Sequence, residues 1–211
     1  MVTLTLRRMK TLPESILEHS KLLPEGGMLT PKEFLHLGSR AAVDQAFSRL
    51  AKVGLLIRAA RGLYIAAKDG QRDKGTPALD KVVSSLASKT KAVIAVDGAG
   101  CAEMLGLISK APVRNVFLTS GRSRTVKVGN VGVEIRHAPI WMLSLGSTTA
   151  GNAVRALAWL GEARVCAMLK KLRKRLSPAD WQALGSVRYL LPSWMAAAIG
   201  HEMKGLQLGG I

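Results

Sequence analysis

Hydrophobic residues recur at helical spacing in two short segments near the start of the chain. The first segment spans residues 13–23 and stops at the proline and glycines of 24–27, which predicts a first helix. Thr30 can cap a second helix, because Glu33 stands three positions later and completes a capping box. Gly38 is the predicted end of this second helix. The spacing therefore predicts two short, consecutive helices.

A third helix and a pair of strands follow. Ser39 caps a helix predicted over 40–53, and Gly54 supplies the left-handed residue at which helices often stop. Residues 55–66 contain two β-prone runs around a turn at Arg61 and Gly62, which predicts a hairpin. The order helix, helix, tight turn, helix and basic hairpin is that of a winged helix-turn-helix domain.

The third predicted helix separates an apolar stripe from a polar face. The apolar stripe, expected to pack on the first two helices, consists of Val43, Ala46, Phe47, Leu50 and Val53. The opposite face consists of Ala41, Gln45, Ser48 and Lys52, with Arg40 and Arg49 at its edges. A single polar helix face is common on protein surfaces. It indicates DNA binding only in combination with the neighbouring hairpin and the positive charge of the chain.

This polar face carries side chains that read base edges in the major groove. Gln45 can pair with adenine, Arg40 with guanine, and Ala41 can contact a thymine methyl group. Basic side chains around them would bind phosphates. The predicted DNA-contacting set is Thr30, Lys32, Ser39, Arg40, Ala41, Gln45, Ser48, Arg49, Lys52, Arg58, Arg61 and Gly62.

The hydrophobic pattern changes after a polar segment at 68–77, which predicts a linker between a winged helix-turn-helix domain at 1–67 and a second domain at 78–211. The second domain begins with a helix and a strand, continues as a small antiparallel meander over 113–137, and ends in several helices. The predicted fold class is therefore α+β, with an N-terminal winged helix before a mixed α/β domain.

The net charge of the chain indicates the class of its binding partner. The 211 residues include 31 Lys and Arg against 14 Asp and Glu, giving a formal net charge of +17, while 48% of residues are hydrophobic. A foldable chain this basic is matched to a polyanion, and nucleic acid or an anionic membrane surface are the usual candidates. A possible auxiliary basic surface consists of Arg122, Arg124, Lys127, Lys170, Lys171, Arg173, Lys174 and Arg175.

Other classes are disfavoured by the residue pattern. The longest uncharged stretch, 138–154, is too short and too polar to span a membrane, and no secretion signal is visible. Cys101 and Cys166 show no metal-ligand spacing and no disulfide framework, so we expect a cytoplasmic protein without metal or cofactor.

No catalytic arrangement can be argued from the four separated histidines or the sparse carboxylates, so we expect no enzymatic activity. A remote alternative is a DNA-targeted nuclease that uses Asp97 and Glu134, although Arg136 stands where such nucleases have lysine. A second alternative is RNA binding, which usually employs exposed aromatic residues, and only 4% of this chain is aromatic. The Asp97 to Gly100 segment is interpreted as a structural turn rather than a phosphate loop.

Several separated blocks resemble the AbiEi-type antitoxin family in its short, standalone form. These blocks are Leu29 to Leu50, Gly54, Arg61 to Tyr64, 98–99, 105–107, 111–113, 118–124, 128–129 and 192–195. The resemblance covers about residues 26–205, although the residues around Gly98 differ from those usual in the family.

The resemblance implies a transcriptional repressor that acts as the antitoxin of a type IV toxin-antitoxin, or phage-defence, operon. The N-terminal winged helix would bind double-stranded DNA at its own operon promoter. The C-terminal part would counteract a nucleotidyltransferase-like toxin, directly or indirectly. By position, the resemblance assigns DNA contacts to Ser39, Arg40, Gln45, Arg49 and the turn at Arg61 and Gly62, and it carries over no catalytic residue.

Overall fold

In the computed structural model, which describes residues 10–67 and 77–208, the chain is a mixed α+β protein. Its described residues divide into two compact units. The first contains 10–67, 77–90 and 125–132, and the second contains 91–124 and 133–208.

The first unit combines helices with a small antiparallel sheet. Its elements are α1 (Leu12–Leu22), β1 (Met28–Leu29), a 3₁₀ helix (Pro31–Phe34), α2 (Arg40–Lys52), β2 (Leu56–Ala60), β3 (Leu63–Ala66) and α3 (Leu79–Thr90). The strand order in the sheet is β1-β3-β2. The predicted first helix, third helix and hairpin are confirmed within one or two residues.

Local capping explains where these elements begin and end. The backbone N–H of Thr30 donates to the Glu33 carboxylate at 3.2 Å, and the Ser39 hydroxyl accepts from the N–H of Ala42 at 3.3 Å. Gly54 takes the predicted left-handed conformation after α2, with φ of 78°. The second predicted helix is only a 3₁₀ helix, because residues 35–38 are all exposed and no packed apolar face extends it.

The predicted apolar stripe of α2 forms the core of this unit except at its last position. Phe47 is fully buried, with its ring centroid 5.4 Å from that of Phe34 and 4.8 Å from that of Tyr64. Val53 was expected in the same stripe but is 59% exposed, because α2 ends at Lys52 and Val53 has left the helical conformation. The aromatic cluster therefore packs against the buried side of α2.

Helix α3 follows the predicted linker but packs with the first unit. The Ser85 hydroxyl accepts from the backbone N–H of Met28 at 3.0 Å, and Lys81 pairs with Glu25 at 2.6 Å. Lys89 forms an ion pair with Glu33. These contacts place α3 in the N-terminal unit, whereas the sequence grouped it with the second domain. The linker itself, apart from Pro77, lies outside the described residues.

The second unit contains most of a four-stranded sheet and a helical region. Its elements are β4 (Ile94–Val96), α4 (Gly98–Met104), β5 (Val116–Thr119), the start of β6 (Arg124–Val128), most of β7 (Val131–His137), α5 (Ile140–Leu143), α6 (Thr149–Leu160), α7 (Val165–Leu172), α8 (Pro178–Ser186) and α9 (Ser193–Leu208). Short 3₁₀ helices lie at Glu162–Arg164 and Arg188–Leu190.

The predicted antiparallel meander is wrong. The strand order is β4-β5-β7-β6, and β5 pairs in parallel with β7, from Val116 opposite Glu134 to Thr119 opposite His137. The chain passes from β5 to β6 across the end of β7. There the His137 N–H donates to the Ser123 hydroxyl, and its Nδ1 lies 2.8 Å from the Gly121 carbonyl oxygen. Strands β5 and β6, which are consecutive in the sequence, therefore lie on opposite sides of β7 in the sheet.

Candidate nucleic-acid interface

The outer face of α2 is open to solvent. Ala41, Gln45, Arg49 and Lys52 are all exposed, as the sequence predicted for this face. Arg49 and Lys52 lie in the last turn of the helix, where the negative end of the helix dipole favours cations. The exposed face thus presents one amide and two positive charges without burying any of them.

A concave groove of about 590 Å³ lies beside this face. It is lined by Thr30, Pro31, Lys32, Arg40, Asp44, Ser48, Arg58, Arg61, Gly62 and Tyr64. Arg40, Asp44 and Ser48 are spaced four residues apart along α2, so they form one edge of the helix. The 3₁₀ helix and the β2-β3 hairpin contribute the other lining residues.

The 3₁₀ side of the groove is positioned by hydrogen bonds and an ion pair. Glu33 accepts from the N–H of Thr30 and also pairs with Lys89 on α3, and Pro31 is buried. This arrangement holds the segment from Thr30 to Lys32 in place while the Lys32 side chain stays exposed. Helix α3 therefore supports the groove without lining it.

The hairpin side depends on one turn and one irregular pair. Gly62 has φ of 68°, a conformation that favours glycine, and it closes the turn next to Arg61. Arg58 lies opposite Tyr64, and the register shifts between Arg58 and Ala60. Such irregularities redirect side chains near strand ends. Tyr64 is buried against Phe47, so the groove has a rigid aromatic support.

Positive charge dominates the groove. Lys32, Arg40, Arg58 and Arg61 line it with a single carboxylate, that of Asp44. The Arg40 Nε donates to Asp44 Oδ2 at 2.7 Å, and both side chains are about half exposed. Among the described residues, the side chains of Arg58 and Arg61 form no hydrogen bond or ion pair. The groove therefore offers free guanidinium donors to an anionic ligand.

The structure divides the predicted contact set between two surfaces. Seven predicted residues line the groove, namely Thr30, Lys32, Arg40, Ser48, Arg58, Arg61 and Gly62. The other five lie along α2 and its cap, where the Ser39 hydroxyl is engaged as the helix cap. Sequence reasoning missed three lining residues, namely Pro31, Asp44 and Tyr64. The spacing of Asp44 four residues after Arg40 was the available signal.

The proposed auxiliary basic residues differ in how they are bound. Arg173 donates to the Gly205 carbonyl at 3.2 Å, and Arg175 donates to the Leu105 carbonyl at 2.6 Å. These two arginines hold parts of the second unit together. The remaining residues are exposed or, at Arg124, half-buried, and they are Arg122, Arg124, Lys127, Lys170, Lys171 and Lys174.

The two carboxylates of the nuclease alternative have structural partners. The Asp97 side chain accepts from the Gly100 N–H at 3.0 Å as the cap of α4. Arg136 donates to both Glu134 oxygens at 2.7 and 2.8 Å, and this hydrogen bonding lowers the pKa of Glu134. Strand β5 separates β4, which ends next to Asp97, from β7, which carries Glu134. Within 10–67 and 77–208, no three His, Cys, Asp or Glu side chains are grouped to hold a metal ion.

A membrane span is not found in the part of the chain that the structure describes, where every helix is too short or too polar to cross a bilayer.

Together these features define an α+β protein with a cationic groove on its N-terminal unit. The chain belongs to DUF6088, a family of unknown function, whose model matches residues 15–181. No curated protein and no solved structure shows a significant match to the chain.

Proposed function

We propose that this protein is a sequence-specific, double-stranded-DNA-binding transcriptional repressor whose N-terminal unit is a winged helix-turn-helix. The order of elements supports this proposal, because α1, β1, the 3₁₀ helix, α2 and the β2-β3 hairpin follow the order of that domain. In this interpretation α2 is the recognition helix and the turn at Arg61 and Gly62 is the tip of the wing.

The single observation that carries the proposal is the cationic groove between α2 and the hairpin. A recognition helix in the major groove brings a sugar-phosphate backbone alongside it, next to the wing. Lys32, Arg58 and Arg61 would neutralise phosphates of that backbone. The cationic lining of this groove fits a polyanion.

Sequence preference would come from the α2 residues that face outward or lie at its start. Gln45 is exposed and has the donor and acceptor pair that adenine requires. Arg40 is the first residue of α2, where recognition helices commonly contact base edges. Base reading would thus use α2, whereas phosphate binding would use the 3₁₀ helix and the β2-β3 hairpin.

The biological setting is proposed from the residue blocks that resemble AbiEi-type antitoxins. The protein would repress its own operon and counteract a nucleotidyltransferase-like toxin encoded there. Co-expression with the product of the adjacent gene tests this part. Restored growth would support the antitoxin role, and continued toxicity with a functional repressor would leave only transcriptional regulation.

Binding to a labelled duplex from immediately upstream of the gene tests the DNA-binding proposal, with a scrambled duplex and a structured RNA as controls. We expect the native duplex to keep an advantage of about a thousandfold near physiological salt. Gln45→Ala should lose this preference, because it should weaken binding to the preferred site only, by about 1–3 kcal/mol. Equal decay of both duplexes with rising salt would reduce the activity to non-specific attraction, and tighter RNA binding would favour an RNA-binding protein.

A further inference from the structure

The Arg40–Asp44 pair places a negative charge in a groove that otherwise attracts anions. Asp44 is the carboxylate among the groove-lining residues, and its Oδ2 lies 2.7 Å from Arg40 Nε. A carboxylate here opposes phosphate binding and neutralises one of the four cations. Electrostatic attraction to a polyanion therefore does not account for Asp44.

Helix stability accounts for the pair only weakly. Arg40 is the first residue of α2, at the positive end of the helix dipole, where a cation is unfavourable. The order cation then carboxylate at four-residue spacing is also the less stabilising orientation. Both side chains are about half exposed, so burial does not force them together.

What the contact does provide is a defined orientation of the guanidinium. Asp44 engages Arg40 through Nε. The two terminal nitrogens remain available, and they form the fork of donors that matches N7 and O6 of guanine. A neutralised and oriented arginine contributes little to general attraction and more to recognition of one base pair.

We propose that Asp44 is a specificity-determining residue, which orients Arg40 toward guanine and disfavours phosphate at this edge of the groove. This inference rests on the proposed DNA-binding function. It assigns the base preference at one position of the DNA site to the Arg40–Asp44 pair rather than to Arg40 alone. The Asp44 carboxylate would also repel the sugar-phosphate backbone of DNA from this end of the groove.

The experiment begins with duplexes selected from a random library by the wild-type protein. Binding is then measured for every single-base-pair change in the selected site. The variants are Asp44→Asn, which keeps shape but removes charge, Arg40→Ala, and Asp80→Asn. The last removes an equal charge from an exposed position on α3 that does not line the groove.

We expect wild type and Asp80→Asn to prefer one guanine position about tenfold over its substitutions. Arg40→Ala and Asp44→Asn should both lose preference at that same position and keep it at the others. Asp44→Asn should also bind mismatched duplexes more tightly, with a salt slope steeper by about one ion. Unchanged thermal unfolding of each variant shows that folding is intact.

An unchanged base-pair profile in Asp44→Asn, with tighter binding to every duplex, would overturn the inference while leaving the proposed function standing. Loss of preference at a position different from that of Arg40→Ala would overturn it equally. A wild-type protein that selects no sequence from the library would overturn the proposed function and this inference together.

Discussion

Some arginines of the second unit are used differently from those in the groove of the first unit, although both units are basic. In the groove of the first unit, the guanidinium groups of Arg58 and Arg61 have no protein partner among the described residues. In the second unit, Arg155 is fully buried and donates to the Met142 and Gly146 carbonyls and to Asn152 Oδ1, at 3.1, 2.8 and 2.6 Å. Arg175 likewise donates to the Leu105 carbonyl. Formal charge therefore overstates how much positive charge is available to a ligand.

This difference bears on which unit binds the polyanion. A guanidinium that already satisfies backbone carbonyls has fewer free donors and loses folding contacts if it moves. A guanidinium in an open groove can bind a phosphate without such a loss. The comparison predicts structural effects from arginine substitution in the second unit and binding effects in the first.

The largest effect is expected where the groove's support is removed. Phe47→Ala deletes a fully buried ring that packs on Phe34 and Tyr64, at a cost of about 3–5 kcal/mol. Amide hydrogen exchange should show loss of protection along α2, and DNA binding should fall with it. Retained binding by a variant with unprotected α2 would contradict the assignment of α2 as the binding element.

Arg155→Met should destabilise the second unit by about 2–3 kcal/mol, because three acceptor oxygens lose their donor while the burial of a charge is relieved. All four tryptophans lie in this unit, at 141, 159, 181 and 194. Tryptophan fluorescence in urea therefore measures its unfolding. Arg164→Met, which removes one bond to the Leu160 carbonyl, is the matched control and should shift the midpoint much less.

Arg61→Ala should weaken binding to all duplexes by about 1 kcal/mol and lower the salt slope by about one. Arg173→Ala removes the same charge from a residue that donates to the Gly205 carbonyl, and it should leave the slope nearly unchanged. Titration of both variants against one duplex at several salt concentrations measures the contrast. Equal slopes for the two variants would show that charge alone governs binding.

The smallest effect concerns Glu134, an exposed carboxylate whose pKa is lowered by hydrogen bonding from Arg136. A group with a depressed pKa in the folded state stabilises the protein above its unfolded pKa, and that contribution disappears as pH falls through the folded value. In Glu134→Gln, the free energy of unfolding should therefore fall slightly less steeply as the pH becomes acidic. An NMR titration of Glu134 that gives an ordinary carboxyl pKa would contradict the shift.

Local signals account for the elements that sequence reasoning predicted well. The predicted capping residues Thr30 and Ser39 form hydrogen bonds with residues three positions away, so short-range sequence contains both partners. Gly54 and Gly62 have positive φ values at predicted stops and turns, where glycine carries no steric penalty. Helix α6 begins for the same reason, because the Thr148 hydroxyl accepts from the N–H of Gly151.

Non-local contacts account for what was missed. The sequence placed β5 beside β6, but partner choice between strands depends on the loop that crosses β7 and on contacts between distant residues such as His137 and Gly121. The same holds for α3, which packs with the first unit through Ser85 and Lys89. Neither contact leaves a periodic signal in the chain.

The sequence by itself determined the α+β class, the caps and turns, the apolar stripe and polar face of α2, and the excess of positive charge, because each depends on residue type and short spacing. Only the tertiary structure decided that Lys32, Arg40, Arg58 and Arg61 share one groove with Asp44, and that Arg155 and Arg175 are engaged internally. The physical reason is that a charge becomes available or occupied through its neighbours in space, which are set by packing of distant segments.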